Sequence, residues 1–125
     1  MSPDSYALEA LTWQEAGRLL ARDSRLLLPV GALEQHGPHL PLGTNTFLAE
    51  AVARRASDDL GILRAPTFAY GVNGGARGRF AGTVTLRRKT LHRTVNELLA
   101  SWEDHGVSEI VVITAHRYGP IWTPC

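Results

Sequence analysis

Apolar residues change spacing several times along the chain, and the changes outline alternating helices and strands. Thr12-Trp13-Gln14-Glu15 has the form of a capping box, and Ala16, Leu19 and Leu20 follow at helical spacing. This predicts a helix over about 12–22, with Trp13 packed staple-like at its start. Arg25 to Gly31 is a short, continuous apolar run, as in a strand covered on both faces; Pro29 lacks an amide donor and predicts an edge or a bulge there. No hydrophobic period runs through residues 32–45, which read as a long loop.

Phe47, Leu48, Ala51 and Val52 mark a second helix over about 46–60, with Thr46 as its cap and Gly61 as its stop. Ile62 to Pro66 reads as a second strand, and Thr83 to Leu86 as a third after a glycine-rich segment. Leu91, Val95, Leu98, Leu99 and Trp102 fall on one helical face, bounded by Thr90 and by Gly106. Glu109 to Ala115 is β-branched and uninterrupted, the strongest buried-strand signal in the chain. Strands alternating with helices predict one α/β domain around a mostly parallel sheet.

Composition changes this picture little. The chain has 125 residues, 44% hydrophobic and 20% charged, which suits a single globular core. A formal net charge of +1 gives no bulk signature of nucleic-acid binding. No apolar run is long enough to span a bilayer, and the first residues lack the basic and apolar regions of a secretory leader. The lone cysteine, Cys125, rules out an internal disulfide and a multi-cysteine zinc site. The expectation is a cytoplasmic protein that binds neither nucleic acid nor membrane.

In open α/β sheets, ligands gather beyond the carboxyl ends of the strands. Two such ends carry unusual polar residues: Glu34-Gln35-His36 after the first strand and His116 after the last. If the two strands are neighbours, a carboxylate and two imidazoles converge. That donor set suits Zn²⁺ or Mn²⁺ better than Mg²⁺ or Ca²⁺, because imidazole favours transition metals. Spacing alone leaves a second reading open, a hydrogen-bonded loop with a surface histidine.

The stretch Pro29-Val-Gly-Ala-Leu-Glu-Gln-His-Gly-Pro-His-Leu-Pro-Leu-Gly-Thr-Asn-Thr46 resembles the signature of the creatininase family. Ala65-Pro66, Tyr70-Gly71, Phe80-Ala81-Gly82-Thr83, Leu86 and the strand ending in His116 extend the resemblance over about residues 24–116. Residues 117–125 form a divergent tail. In wording, the mycofactocin-type peptidase branch is the nearest. The resemblance implies a three-layer α/β sandwich, cut to about its N-terminal half, in an oligomer or with a partner chain. It further implies a metal-dependent amidohydrolase in which a metal-activated water attacks a C–N bond of a small amide or a peptide. Carried over by motif, Glu34, His36, Asn45 and His116 match metal-site positions, and Glu34, His36 and His116 are the catalytic set.

Three departures bear on that chemistry. Asn45 stands where the family has an aspartate that bridges two ions, and a neutral amide bridges cations poorly. Tyr118 stands where another carboxylate is expected, and Asn73 to Phe80 contains neither acid nor histidine. One Zn²⁺ or Mn²⁺ at most is expected. The alternative expectation is an impaired or inactive fragment acting as a binding or assembly subunit.

Overall fold

A computed structural model of the chain describes residues 6–74 and 78–116. Tyr118 and the tail over 117–125 lie outside the described residues. After a short 3-10 turn at Leu8–Ala10, the elements run α1 (Trp13–Arg22), β1 (Arg25–Val30), α2 (Thr44–Leu60), β2 (Leu63–Arg64), α3 (Arg88–Asp104) and β3 (Glu109–Thr114). The three strands form one parallel sheet in the order β2-β1-β3, with Leu26 opposite Leu63 and Ile110, and Val30 opposite Thr114. No helix among the described residues is long and apolar enough to cross a membrane.

The capping box forms as the sequence predicts: the Glu15 amide donates to the Thr12 hydroxyl at 3.2 Å and the Thr12 amide donates to Glu15 Oε2 at 2.8 Å. Trp13 does not pack; it is 80% exposed, so no staple closes the helix start. Gly17 sits inside α1 with nothing within 4 Å of an added Cβ. Gly17→Ala should therefore stabilise the fold by about 0.5–1 kcal/mol, because it removes only the backbone entropy of glycine. Chemical denaturation monitored by circular dichroism would read this as a higher midpoint with an unchanged slope.

Alternate positions of β1 serve opposite faces of the sheet. Leu26, Leu28 and Val30 join Leu63, Ala65 and Val107, against Leu19 and Leu20 of α1 and Trp102 of α3. On the other face lies α2, whose Ala49 and Ala53 are fully buried and let its backbone come close to the sheet. The result is the three-layer sandwich expected, with α1 and α3 on one side and α2 on the other.

Pro29 does not mark an edge, since β1 is the central strand. Its carbonyl accepts from the Phe68 amide at 2.9 Å, on the side where β2 has already ended at Arg64. No continuous ladder there requires a proline amide. Nor does Thr83 to Leu86 form a strand. Its groups bond singly to other segments: the Val84 amide to the Leu33 carbonyl, the Leu86 amide to the Gly71 carbonyl, and the Thr85 hydroxyl as acceptor from the Asn73 amide.

Both later helices begin before their expected caps. In α2 the cap is Gly43, without a side-chain bond, so Asn45 belongs to the first helical turn and not to the loop. In α3 the cap is Arg87, also without a side-chain bond. The expected stops hold: Gly61 (φ 67°) and Gly106 (φ 94°) both take the left-handed conformation.

The largest reversal concerns β3. Its sequence reads as buried on both faces, yet Val111 and Val112 are 40% and 42% exposed. Among the described residues only β1 pairs with it, which leaves its far edge unpaired.

Arg25, where β1 begins, donates from its backbone to Asp23 Oδ1 and pairs through Nη2 with Oδ2 at 2.7 Å. These bonds hold the Asp23 carboxyl down at about 2 from its ordinary 3.8. A depressed carboxyl contributes stability that is complete above its unfolded value and is lost as pH falls through its folded value. Acid unfolding between about pH 4 and pH 2 should thus be shallower in Asp23→Asn than in the parent chain. Because the pair is exposed, salt should shrink the difference.

Candidate functional site

The carboxyl ends of β1 and β3 are adjacent, with Val30 opposite Thr114, so the segments leaving them start side by side. The loop after β1 is pinned where it carries its polar residues. The Glu34 amide donates to the Leu42 carbonyl at 3.1 Å, and the Gln35 amide donates to the buried Thr83 hydroxyl at 2.8 Å. Asn73, also buried, donates through Nδ2 to the carbonyls of Leu33 and Val84. The side chains of Glu34 and His36 therefore project from a fixed backbone.

Four side chains meet around one oxygen. Asn45 Nδ2 donates to Glu34 Oε1 at 3.0 Å; His36 Nε2 and His116 Nδ1 each lie 3.5 Å from the same atom. Asn45 Nδ2 also stands 3.3 Å from His116 Nδ1. Asn45 and His116 are buried, while Glu34 and His36 are about a quarter exposed (27% and 25%), so the cluster opens on their side. The structure thus brings together all four residues singled out in the sequence, contributed by the loop, the first turn of α2 and the end of β3.

The tautomer of His116 follows from its partners. Its Nε2 lies 3.0 Å from the Val72 carbonyl, which can only accept, so Nε2 carries the proton. Nδ1 then holds a lone pair and accepts from Asn45. A carbonyl on one ring nitrogen that aims the other inward is the usual support of a ligating histidine. The His116 amide donates to the Thr114 hydroxyl at 3.1 Å and fixes the backbone. Gly71 admits the ring: a Cβ there would lie 3.3 Å from His116 Cδ2 and 3.2 Å from Ala32 Cβ.

His36 Nε2 is buried and has no hydrogen-bond partner among the described residues. Beside it runs an open crevice of about 600 Å³, walled by Pro38, Leu40, Leu42, Arg79 and Phe80. A second, more apolar cavity of about 320 Å³ lies between α3 and the sheet, lined in part by Val30, Leu91, Val95, Val112 and His116.

As they stand, these side chains are not a metal cage. Among the described residues no group of three or more His, Cys, Asp or Glu is arranged to hold an ion. The two imidazole nitrogens each stand 3.5 Å from Glu34 Oε1, a spacing between donor atoms and not a coordinate bond. The donor set nevertheless fits one divalent cation, with one carboxylate oxygen, one aimed lone pair and one unpaired imidazole nitrogen. It does not fit two, because the buried group nearest Glu34 is a neutral amide presenting its NH₂.

Reading the sequence for chemistry missed the supporting residues. Val72, Asn73, Thr83 and Thr114 bear no reactive group and act by holding others. The signal for two of them was present, since Tyr70-Gly71 and Gly82-Thr83 belong to the recognised pattern and flank or contain them.

Comparison with known proteins places this chain in a family. The family model described as creatinine amidohydrolase matches residues 9–120. A creatinine amidohydrolase of Pseudomonas putida is 37% identical over 111 residues, covering 85% of this chain and 43% of that protein. A mycofactocin precursor peptide peptidase of Mycobacterium tuberculosis is 41% identical over 86 residues, covering 61% and 34%. The crystal structure of a creatinine amidohydrolase superposes with a TM-score of 0.83 at 34% identity, covering 89% of this chain and 45% of the other. Solved creatininases include a Zn-Zn type and an Mn form. The chain spans less than half the length of these relatives, and over that span, in sequence and in fold, it belongs to the creatininase family.

Proposed function

We propose that this chain carries the cation-binding rim of a metal-dependent amidohydrolase that cleaves a C–N bond of a small amide or a peptide. Glu34 Oε1, His36 Nε2 and His116 Nδ1 would hold one Zn²⁺ or Mn²⁺. Such an ion supplies an acidified water and a Lewis acid for a carbonyl. The chain's own part is positioning. Val72 sets the His116 tautomer, Thr83 and Asn73 hold the loop that carries Glu34 and His36, and the crevice beside His36 leaves room for the scissile group. The observation that supports this reading best is the buried His36 Nε2, left unpaired 3.5 Å from a carboxylate that also faces His116. An imidazole nitrogen buried without a partner is costly unless something else satisfies it.

The test is hydrolysis of a panel of cyclic amides and short peptides with Zn²⁺ or Mn²⁺ added, against Glu34→Ala in parallel. Turnover that needs the metal and disappears in Glu34→Ala is the expected result. A rate in the parent chain no higher than in the variant counts against the reading.

A second reading concerns assembly, and the exposed edge of β3 favours it. A strand edge without a partner among the described residues, on a strand of β-branched residues, is a template for another strand. A second copy, or a chain equivalent to the rest of the relatives' length, would cover it, making the protein an assembly subunit whether or not it turns over a substrate. Sedimentation should then detect dimers or larger species at micromolar concentration; a stable monomer would oppose this reading. A formal charge of +1 supports partners other than nucleic acid, and a lone cysteine suits a cytoplasmic setting.

A further inference from the structure

We infer that Asn45 is a latch that occupies the cation's place: its NH₂ group satisfies Glu34 and His116 when no ion is bound, and a cation must displace it. This rests on the cation reading above and adds a competitor to it. Two acceptors converge at the centre of the cluster, the Glu34 Oε1 atom and the Nδ1 lone pair of His116. Two acceptors facing each other at 3.5 Å, one of them on a buried ring, need positive charge or donor hydrogens between them. Asn45 Nδ2 lies 3.0 Å from one and 3.3 Å from the other, so a single NH₂ serves both.

The orientation of the amide follows from the same acceptors. Turned over, it would set Oδ1 against a carboxylate and against a lone pair. The residue cannot easily avoid the role, because it is buried in the first turn of α2, just behind Gly43. An aspartate at this position would put a second carboxylate beside Glu34 and make the site dependent on a cation. The asparagine removes that dependence, because one NH₂ group bonds both Glu34 and His116.

The experiment measures thermal midpoints in chelator and in excess Zn²⁺, together with zinc affinity by equilibrium dialysis, for the full chain and for Asn45→Asp and Asn45→Ala. In chelator both variants should melt below the parent. Zinc should raise their midpoints more than it raises the parent's. Zinc affinity of Asn45→Ala should increase by about tenfold once two competing hydrogen bonds are removed, and Asn45→Asp should exceed it because a carboxylate also adds a ligand.

Should a variant fail to fold, the parent chain alone decides. By NMR the Asn45 NH₂ protons should exchange slowly without zinc and be released or strongly shifted at saturating zinc. An NH₂ group unmoved by saturating zinc overturns the latch, and so does an Asn45→Ala affinity within about twofold of the parent. Absence of zinc binding in all three proteins overturns the cation reading itself and the latch with it, whereas tight binding that is the same in all three overturns the latch alone.

Discussion

His116→Ala is expected to lower the thermal midpoint by about 10–15 °C and to abolish zinc binding. His116 is only 6% exposed, and each ring nitrogen has a partner that is itself buried or constrained. Truncation strands the Val72 carbonyl and half of the Asn45 amide, at about 1–3 kcal/mol for each unsatisfied group. It also enlarges the cavity between α3 and the sheet, to whose lining the ring already contributes. A total of about 3–4 kcal/mol corresponds to that shift in a domain of this size. His116→Gln separates the two effects. Its amide can reach the Val72 carbonyl as Nε2 does now, but it offers no Nδ1 lone pair. Most of the lost midpoint should return while zinc binding does not. Recovery of both, or of neither, would contradict the roles given to the two nitrogens.

Gly31→Ala should be nearly as damaging, for a steric reason. A Cβ on Gly31 would overlap the Thr46 hydroxyl and lie 2.6 Å from Thr46 Cα. The nearest atoms are backbone and first-turn side chain of α2, so no flexible tip can move aside. The start of α2 must shift away from the end of β1, at a cost of about 3 kcal/mol or more. Asn45 is the neighbour of Thr46 and moves with it, which breaks its bond to Glu34. Denaturation should show a large loss of stability, and the Asn45 NH₂ protons should exchange rapidly. Gly17→Ala in α1 is the internal control, with the opposite sign expected. A Gly31→Ala protein as stable as its parent would mean that the two elements are not locked together at this point.

The parts of the fold that local chemistry dictates were legible in the sequence. The Thr12–Glu15 capping box, the left-handed stops at Gly61 and Gly106, and the alternation of helix and strand need only nearby residues. Where tertiary contacts decide, the sequence misled. Pro29 reads as an edge signal, but the abrupt end of β2 makes it harmless in the central strand. Thr83 to Leu86 alternates like a strand, yet its threonine hydroxyls bond to the loop amide of Gln35 and to Asn73. Trp13 fits a staple in one dimension and stands 80% exposed in three. The reading of β3 as a strand buried on both faces matches its composition and fails against the elements described around it.

The candidate site divides in the same way. Glu34, His36, Asn45 and His116 were visible because they depart from ordinary loop chemistry within a long, specific motif. Their convergence required only that β1 and β3 be neighbours, which the parallel sheet provides. The supports were not visible. Val72 contributes a backbone carbonyl, which carries no residue-type signal, and Thr83 contributes a single hydroxyl. The place of Asn45 within a helical turn, with its amide aimed at two acceptors, could be read only from the structure.

The most direct measurement is the anomalous scattering of zinc in crystals of the full chain soaked with Zn²⁺, recorded at the zinc edge. One strong peak is expected within coordination distance of Glu34, His36 and His116, with the Asn45 amide turned away from its present partners. Absence of a peak there at saturating zinc, or an ion bound only by residues elsewhere on the surface, would contradict it.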